Sequence, residues 1–189
     1  MPIPNKPENG IKGRSKWVQV YVGLGGNIGD VVSNMVAALD ALHQQKDIRV
    51  VARSHLYSTP PWGDIDQPDF VNACALIETC LLPEEILKIL KDEEKRLKRK
   101  KTRRWGPRVI ELDILVFGEI SIDTPILEIP HPRMTERAFV LKPMSELNAS
   151  LYVNGKTIRQ WLAEADISGI KKLEDQSGWS SGSTISSTT

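Results

Sequence analysis

Residues 104–115 decide the fold of this chain: Arg104-Trp105-Gly106-Pro107-Arg108-Val109-Ile110-Glu111-Leu112-Asp113-Ile114-Leu115. The run from Val109 to Phe117 is apolar, rich in β-branched residues and preceded by Gly-Pro, which predicts a β-strand. Because strand side chains alternate between two faces, we expect Glu111 and Asp113 to point the same way, roughly 6–7 Å apart. Val109, Leu115 and Phe117 should share their face, whereas Ile110, Leu112, Ile114 and Val116 should form a wholly apolar one.

Two carboxylates on one otherwise apolar face repel each other unless a cation lies between them. Mg²⁺ suits the position, because it binds through one or two carboxylates together with substrate phosphates. A structural explanation also exists, since acidic pairs at this spacing are common on solvated sheet faces. The adjacent run from Lys95 to Arg104, in which eight of ten residues are basic, favours a polyanionic substrate such as a nucleoside triphosphate.

The bulk composition restricts the function classes. The chain has 189 residues, a net charge of +1 and a pI of about 7.8, so its surface gives no general reason to bind nucleic acid or an anionic membrane. The N-terminal residues lack the apolar core of a signal peptide, and we expect a cytoplasmic protein with no membrane contact. Cys74 and Cys80 lie too far apart on one predicted strand for a disulfide, and their spacing does not suggest zinc.

The order of predicted elements is β-α-β-β-α-β within one domain spanning residues 17–174. Residues 1–16 and 175–189 are expected to be disordered tails, because they are polar and rich in Pro, Gly, Ser or Thr. This order predicts an α+β, ferredoxin-like core with a four-stranded antiparallel sheet, both helices on one face, the other face left for ligands, and a C-terminal extension. The predicted strands are 17–24, 48–57, 70–80 and 109–117, with a loop at 58–68 and helices after Asp30, from Pro83 and at 157–165.

The glycine-rich segment from Gly23 to Gly29 follows a strand and precedes a helix, as in dinucleotide-binding motifs. Its spacing does not give GxGxxG, because position 28 is isoleucine, and no Lys-Ser/Thr pair follows to make a P-loop. We interpret these glycines as a tight turn, in which Asn27 could help to shape a ligand pocket. Asp30 is placed to cap the helix that follows.

Several separate motifs carry a family resemblance, which runs from about Tyr21 to Leu147. The chain resembles the 6-hydroxymethyl-7,8-dihydropterin pyrophosphokinases of folate biosynthesis. The motifs are Thr59-Pro60-Pro61, Gln67-Pro68-Asp69-Phe70-Val71-Asn72, Arg104-Trp105-Gly106-Pro107-Arg108, Leu112-Asp113-Ile114, and His131-Pro132 with Arg137 and Phe139. Their order and spacing both match.

The resemblance implies transfer of pyrophosphate from ATP to the pterin hydroxymethyl group, with AMP and the pterin diphosphate as products. It implies catalysis by Glu111, Asp113 and Arg108, with Glu111 and Asp113 holding two Mg²⁺ ions. The implied pterin-binding residues are Thr59, Pro60, Pro61, Trp62, Phe70, Asn72, Trp105 and Phe139. The implied ATP-binding residues are Glu94, Arg99, Lys101, Arg104, Arg108, Ile114, His131 and Arg137. ATP and the pterin would be the only partners of a monomeric enzyme that binds no nucleic acid.

The chain departs from the family pattern at two positions. Glu111 replaces the usual aspartate and is one methylene longer, and Phe70 stands where a tyrosine is frequent. The first departure leaves open a catalytically weakened homologue that binds nucleotide or pterin. A nucleic-acid-binding ferredoxin-like module using residues 95–104 is the third alternative.

Overall fold

The computed structural model describes residues 16–61, 66–99, 106–174 and 178–182. Its strands are β1 Val18–Gly26, β2 Ile48–Arg53, β3 Tyr57–Thr59, β4 Phe70–Thr79, β5 Glu111–Phe117, β6 Ile122–Asp123, β7 Glu128–Ile129, β8 Tyr152–Val153, β9 Lys156–Thr157 and β10 Lys171–Lys172. Its helices are α1 Val31–His43, α2 Pro83–Arg96, α3 Ala138–Asn148 and α4 Ile158–Glu164, and a 3₁₀ turn spans Met134–Glu136. The predicted β-α-β-β-α-β order is present.

The central sheet is antiparallel throughout, and β1 lies at its centre between β4 and β5. Strands β2 and β3 both pair with β4, and β10 adds to the free edge of β3. The predicted α+β class and ferredoxin-like core are confirmed. Two shorter hairpins, β6–β7 and β8–β9, lie outside this sheet.

Helices α1 and α2 pack on one face of the sheet, as the sequence predicts. Their buried residues, including Met35, Leu39 and Leu90, form one core with alternate residues of β1 and β4. The Asp30 carboxylate caps α1 by accepting a hydrogen bond from Ser33 N at 3.0 Å. In α2, Pro83 occupies the first turn, and Glu85 accepts from Leu82 N at 2.8 Å.

The single strand predicted at 48–57 is wrong, because residues 54–56 interrupt it. Ser54 N donates to Cys74 O at 2.9 Å and Cys74 N donates to Ser54 Oγ at 3.0 Å, so a side chain enters the strand ladder. The chain resumes as β3, which places Ser58 and Thr59 in a strand rather than in the predicted loop. The pairing of β3 with β4 brings Thr59 beside Phe70.

The alternation predicted for β5 holds only in its first half. The β1–β5 register shifts between Tyr21 and Val22, so Val22 pairs with Ile114 whereas Tyr21 pairs with Val116. Leu115 is the extra residue of a β-bulge. As a result Val116 lies on the same face as Leu115, and Phe117 lies on the opposite face with Ile114. The predicted faces of Val116 and Phe117 are therefore reversed.

The second sheet face is not wholly left for ligands. Helix α3 packs across its lower half, where Leu141 and Met144 meet Tyr21 and Cys74 in a second core, to which Ile158 of α4 also belongs. Among the described residues the open part of this face is the end formed by the last residues of β1 and the first residues of β4 and β5, which we call the upper end of the sheet. This arrangement confines the candidate site to that end of the sheet.

A described segment beyond residue 174, where the sequence predicts the domain to end, packs against the core. Trp179 is 1% exposed and belongs to the core against α1 and the sheet. Its indole Nε1 donates to Ser54 O at 3.0 Å, and Gly182 N donates to Arg53 O at 2.9 Å. Residues 178–182 are therefore part of the folded domain, whereas the rest of the predicted tails lies outside the described residues.

Candidate active site

A cavity of 80 Å³ opens at the upper end of the sheet. It is lined by Gly25, Thr59, Pro60, Phe70, Asn72, Arg108, Glu111, Arg137 and Phe139. An adjoining cavity of 40 Å³ reaches Gly23, Asp113 and His131. Residues that the sequence assigns to the pterin, to ATP and to the metal thus meet at one place, although they are spread over 80 positions of the chain.

The wall of the cavity that the sequence predicts to face the pterin comes from β3 and β4. Asn72 is 7% exposed, and its Nδ2 donates to Thr59 Oγ1 at 2.8 Å. This bond fixes the orientation of the amide, so that its oxygen remains to accept and its second N–H remains to donate. Phe70 and Phe139 supply apolar ring surface to the same cavity, and flat heterocycles stack favourably on such surfaces.

The two carboxylates of β5 lie opposite glycines of β1. Asp113 pairs with Gly23 and Glu111 pairs with Gly25 in the antiparallel ladder. A Cβ on Gly25 would lie 3.0 Å from Asn72 Oδ1, and one on Gly23 would lie 3.3 Å from a Leu115 methyl group. The interpretation of these glycines as a turn is wrong, because both lie within β1, and their missing side chains leave space beside the carboxylates.

Each carboxylate is held by basic side chains. Glu111 accepts from Arg99 Nη2 at 2.8 Å through one oxygen and from Arg108 Nη1 through the other. Asp113 accepts from Lys91 Nζ at 3.3 Å. The pKa of Arg99 is raised: burial opposes its charge, but Glu111 and Glu94 together favour it more strongly. A polyanionic ligand would therefore meet preassembled cations beside the acidic pair.

Glu94 lies beneath this network. The residue is 4% exposed, and its Oε1 accepts from Leu112 N at 2.7 Å and from Lys91 Nζ at 2.8 Å. Its Oε2 meets Arg99 Nη1 at 2.5 Å. Its carboxylate thus links α2 to β5 and positions both cations. The predicted contact of Glu94 with ATP stays a prediction.

His131 and Arg137 approach the carboxylates from the segment that leads into α3. His131 Nδ1 accepts from Arg133 N at 3.2 Å, which leaves Nε2–H of the neutral ring as the donor. Burial lowers the pKa of His131, and Arg137 lowers it further, while Asp113 and Glu111 act in the opposite direction. Burial also lowers the pKa of Arg137. Arg137 Nε is buried and has no hydrogen-bond partner within the described part of the chain, as expected of a donor held ready for a ligand.

Asn27 joins three segments around the site. The sequence suggested only that Asn27 helps to shape a ligand pocket. Its Nδ2 donates to Gln67 Oε1 at 2.9 Å and to Pro68 O at 3.0 Å. Its Oδ1 accepts from Arg108 N at 2.9 Å. The residue is 6% exposed, so these bonds are shielded from water. Asn27 thus positions the approach to β4 and the entry to β5 together.

The donor set suits Mg²⁺ that arrives with a nucleotide. Glu111 and Asp113 offer hard oxygen ligands with side chains 28% and 31% exposed, so both are accessible. Among the described residues no group of three or more His, Cys, Asp and Glu side chains could hold a metal ion. The remaining ligands would have to be phosphate oxygens and water, as is usual for Mg²⁺ at phosphoryl-transfer sites.

Not every predicted site residue belongs to the described part of the chain. Trp62, Lys101, Arg104 and Trp105 lie outside the described residues, and Pro61 lies at the edge of a described segment. Ile114 is 3% exposed and packs in the core beneath the sheet, so a contact with ATP would have to use its backbone. Lys91 was missed by sequence reasoning. Its position on α2 three residues before Glu94 is the only signal in the sequence.

Comparison with known proteins places the chain in a family. Residues 21–149 match the family model for 7,8-dihydro-6-hydroxymethylpterin-pyrophosphokinase (HPPK). The chain is 44% identical over 156 residues to the 2-amino-4-hydroxy-6-hydroxymethyldihydropteridine pyrophosphokinase of Methylorubrum extorquens, covering 82% of this chain and 99% of that protein. The Pseudomonas aeruginosa and Bacillus subtilis proteins of the same name are 42% and 39% identical, with 96% and 92% of their lengths covered.

Solved structures agree on the fold. A Plasmodium falciparum HPPK-DHPS structure with pteroate aligns with a TM-score of 0.64 at 16% identity, over 79% of this chain and 44% of that chain. The chain thus spans less than half of that longer protein. Another from the same organism, with STZ-DHP, gives a TM-score of 0.63.

The fold and the site define a nucleotide-dependent transferase built on a ferredoxin-like core. The chain belongs to the HPPK family. It transfers pyrophosphate from ATP to 6-hydroxymethyl-7,8-dihydropterin in folate biosynthesis, as the sequence predicts. Among the described residues, no helix combines the length and the apolar character needed to cross a bilayer.

Proposed function

We propose that this transfer takes place at the upper end of the sheet, with the pterin between Phe70 and Phe139. The observation that carries the proposal is the convergence of the oriented Asn72 amide and two aromatic rings on one cavity. The amide offers both a donor and an acceptor to a ring edge, while the phenylalanines offer stacking surface. Thr59 and Pro60 close the same cavity from β3.

ATP would lie along the carboxylate side of the pterin. Arg108, His131 and Arg137 supply donors to its phosphates, and Arg99 and Lys91 flank the acidic pair. Glu111 and Asp113 would hold Mg²⁺, which would neutralise phosphate charge as pyrophosphoryl transfer proceeds. Arg108 and Arg99, which pair with Glu111, would be available to the nucleotide phosphates if that carboxylate took up another partner. The number of ions, two by resemblance, stays a prediction.

The hydroxymethyl oxygen must lie in line with the β-phosphorus of ATP, so the chain's contribution is mainly positioning and charge stabilisation. The junction of the two cavities, where Glu111, Arg137 and Phe139 line both, suits this meeting point. The monomeric state, the cytoplasmic location and the lack of nucleic-acid binding remain predictions of the sequence.

The test combines product analysis with two substitutions. Incubation with ATP, Mg²⁺ and hydroxymethyl-dihydropterin should give AMP and pterin diphosphate in equal amounts. Phe139→Ala and Phe70→Ala should each raise the KM for the pterin by about tenfold or more, since a stacking base is worth roughly 1–3 kcal/mol, and should change the KM for ATP much less. ADP as product would contradict the reaction. Unchanged pterin KM values in both variants would contradict the location.

One observation favours the weakened homologue as a second candidate. Both oxygens of Glu111 are already engaged by arginines, so a metal must compete with these ion pairs for the carboxylate. Under this alternative, ATP would bind but AMP would form slowly even at high Mg²⁺.

A further inference from the structure

A polar cluster lies behind the candidate active site, where α3 meets the interrupted edge of the sheet. Tyr57 OH donates to Glu146 Oε1 in a short hydrogen bond. His55 N donates to Glu146 Oε2 at 2.8 Å, and His55 Nδ1 lies 3.0 Å from the same oxygen. None of these three side chains lines the cavities described above.

The cluster attaches α3 to β3 through charge-assisted hydrogen bonds. Tyr57 is 2% exposed, and burial, followed by the bond to Glu146, raises the pKa of its hydroxyl. Burial raises the pKa of Glu146, but the hydrogen bonds from Tyr57 and His55 outweigh it and lower the pKa overall. Glu146 is thus an ionised acceptor with three donors, and charge-assisted bonds of this kind are roughly twice as strong as neutral ones.

Its two ends belong to opposite walls of the pterin cavity. Tyr57 pairs with Asn72 across the β3–β4 ladder and lies two residues before Thr59, so it belongs to the strand wall. Glu146 lies two turns along α3 from Phe139, which belongs to the helix wall. The cluster therefore bridges α3, which carries the stacking ring, and β3, which pairs with the strand that carries the amide.

Helix α3 alone does not fix the distance between Phe139 and the strand wall of the cavity well. Pro143 lies inside α3 and has no N–H to donate to the carbonyl of Phe139, so the first turn is free to bend. Two other described side-chain hydrogen bonds join α3 to the sheet: Asn148 Nδ2 donates to Tyr21 OH of β1 at 3.1 Å, and Cys74 Sγ of β4 donates to Val140 O at 3.7 Å. Neither reaches β3, the strand that carries Thr59. Only the Glu146 contacts join α3 to β3 by hydrogen bonds among the described residues.

We propose that Glu146, held by Tyr57 and His55, is a positioning residue that sets the spacing between Phe139 and the Thr59–Asn72 pair and thereby the affinity for the pterin. This inference rests on the proposed location of the pterin. Loss of the attachment widens the cavity without removing any group that touches substrate. Its effect should therefore appear in pterin binding and leave the nucleotide side unchanged.

The test compares two tyrosine substitutions that each remove one hydroxyl bonded to α3. Tyr57→Phe should raise the KM for the pterin by about tenfold, the size expected when a charge-assisted hydrogen bond is lost, with kcat and the KM for ATP little changed. Tyr21→Phe, which releases Asn148, should leave all three constants near the parent values. Glu146→Ala should reproduce the effect of Tyr57→Phe, and Glu146→Gln, which keeps an acceptor oxygen, should restore part of the affinity.

Four results would decide against the proposal. Equal losses in Tyr57→Phe and Tyr21→Phe, or parallel changes in kcat and both KM values, would show a general effect on stability. Additive effects in the Tyr57→Phe/Glu146→Ala double variant would show that the residues act separately. If Phe70→Ala and Phe139→Ala raise the pterin KM while Tyr57→Phe does not, the positioning role fails and the proposed site stands. If none of them raises it, the site assignment fails first.

Discussion

Asn27 and Arg108 form a reciprocal pair of hydrogen bonds: Asn27 N donates to Arg108 O at 2.8 Å, and Arg108 N donates to Asn27 Oδ1 at 2.9 Å. The pair continues the β1–β5 contact beyond the last paired residues of both strands. It fixes the backbone of Arg108 three positions before Glu111, the carboxylate that its guanidinium contacts.

Asn27→Ala should lower the free energy of unfolding by about 1–3 kcal/mol, because it removes the part-buried hydrogen bonds of the Asn27 amide with Arg108 N, Gln67 Oε1 and Pro68 O. It should also raise the KM for ATP, since Arg108 loses its fixed backbone. Denaturant unfolding and steady-state kinetics measure both effects. Asn34→Ala is the matched control, because Asn34 makes a single long bond to Val109 O, at 3.4 Å, and should cost much less. Similar losses in both variants would contradict the role assigned to Asn27.

Substitutions at Glu111 and Asp113 test the acidic pair. Asp113→Ala should abolish activity, and Glu111→Ala should lose most of it. Glu111→Asp should be at least as active as the parent, because the shorter side chain reaches Arg99 and Arg108 less well and these arginines then compete less with Mg²⁺ for the carboxylate. Turnover measured over a Mg²⁺ titration decides between these outcomes. Normal activity of Glu111→Ala would exclude Glu111 as a metal ligand, whereas activity that appears only in Glu111→Asp would favour the weakened homologue.

Glu94→Gln should lower the free energy of unfolding by about 2–4 kcal/mol, because it leaves Lys91 and Arg99 facing a neutral amide. The effect should fall short of that for a fully buried pair, since the side chains of these cations are 36% and 24% exposed. Chemical denaturation measures it. Asp92→Asn, which breaks surface pairs with Lys88 and Lys95, should have no measurable effect. Equal stability of the two variants would contradict the linking role of Glu94.

The lowered pKa of His131 predicts a pH dependence of stability. Because the folded-state pKa lies below the ordinary value of 6.5, the unfolded chain binds more protons between the two values. The contribution of His131 to stability is therefore complete above pH 6.5 and is lost as the pH falls through the folded-state pKa. NMR titration should give a midpoint below 6.5 for this ring, and His131→Gln should flatten the acid limb of the stability curve. A midpoint above 6.5 would contradict the lowered pKa of His131 and reverse the expected pH dependence of stability.

Trp179→Ala should lower the free energy of unfolding by about 3–5 kcal/mol, the usual cost of truncating a large buried side chain. A chain ending at residue 174 should be destabilised similarly. Trp17→Ala is the control, since Trp17 is only partly buried and stacks with Arg49 at 3.9 Å. Thermal unfolding of the three variants would show whether the C-terminal segment stabilises the domain. A truncated chain as stable as the parent would contradict its place in the core.

Local sequence patterns were sufficient to predict the main strands and helices of the fold, because these elements follow from the short-range periodicity of apolar residues and from their capping residues. The alternation in β4 correctly separated Asn72 from Ala73, and Asp30 and Pro83 marked both helix starts. The failures came from tertiary contacts. The bulge at Leu115 depends on pairing with β1, the break after Arg53 depends on Ser54 entering the ladder, and the burial of Trp179 depends on a contact with Ser54, 125 positions away.

In the candidate site, too, local motifs predicted some residues, whereas others could be found only from tertiary contacts. The family resemblance indicated Asn72 and Phe139 for the pterin, and the strand alternation indicated the acidic pair for Mg²⁺; these roles stay predictions. The sequence could not show that Glu94 is buried beneath Arg99, since its position in a charged helix suggests a solvated face. It also gave no link between Tyr57 and Glu146, which are 89 positions apart and join only when α3 packs on the sheet.

The glycines opposite the acidic pair have a consequence for inhibitor resistance. Gly23 and Gly25 present only backbone to the space beside Asp113 and Glu111, and any side chain there would press on Leu115 or Asn72. A compound that rests on this backbone would be difficult to evade by point mutation, because a change that excludes the compound would also disturb the Asn72 amide or the packing of β5. Resistance would then have to arise away from the two glycines, for example at Pro60, which lines the same cavity but does not touch the backbone beside the carboxylates.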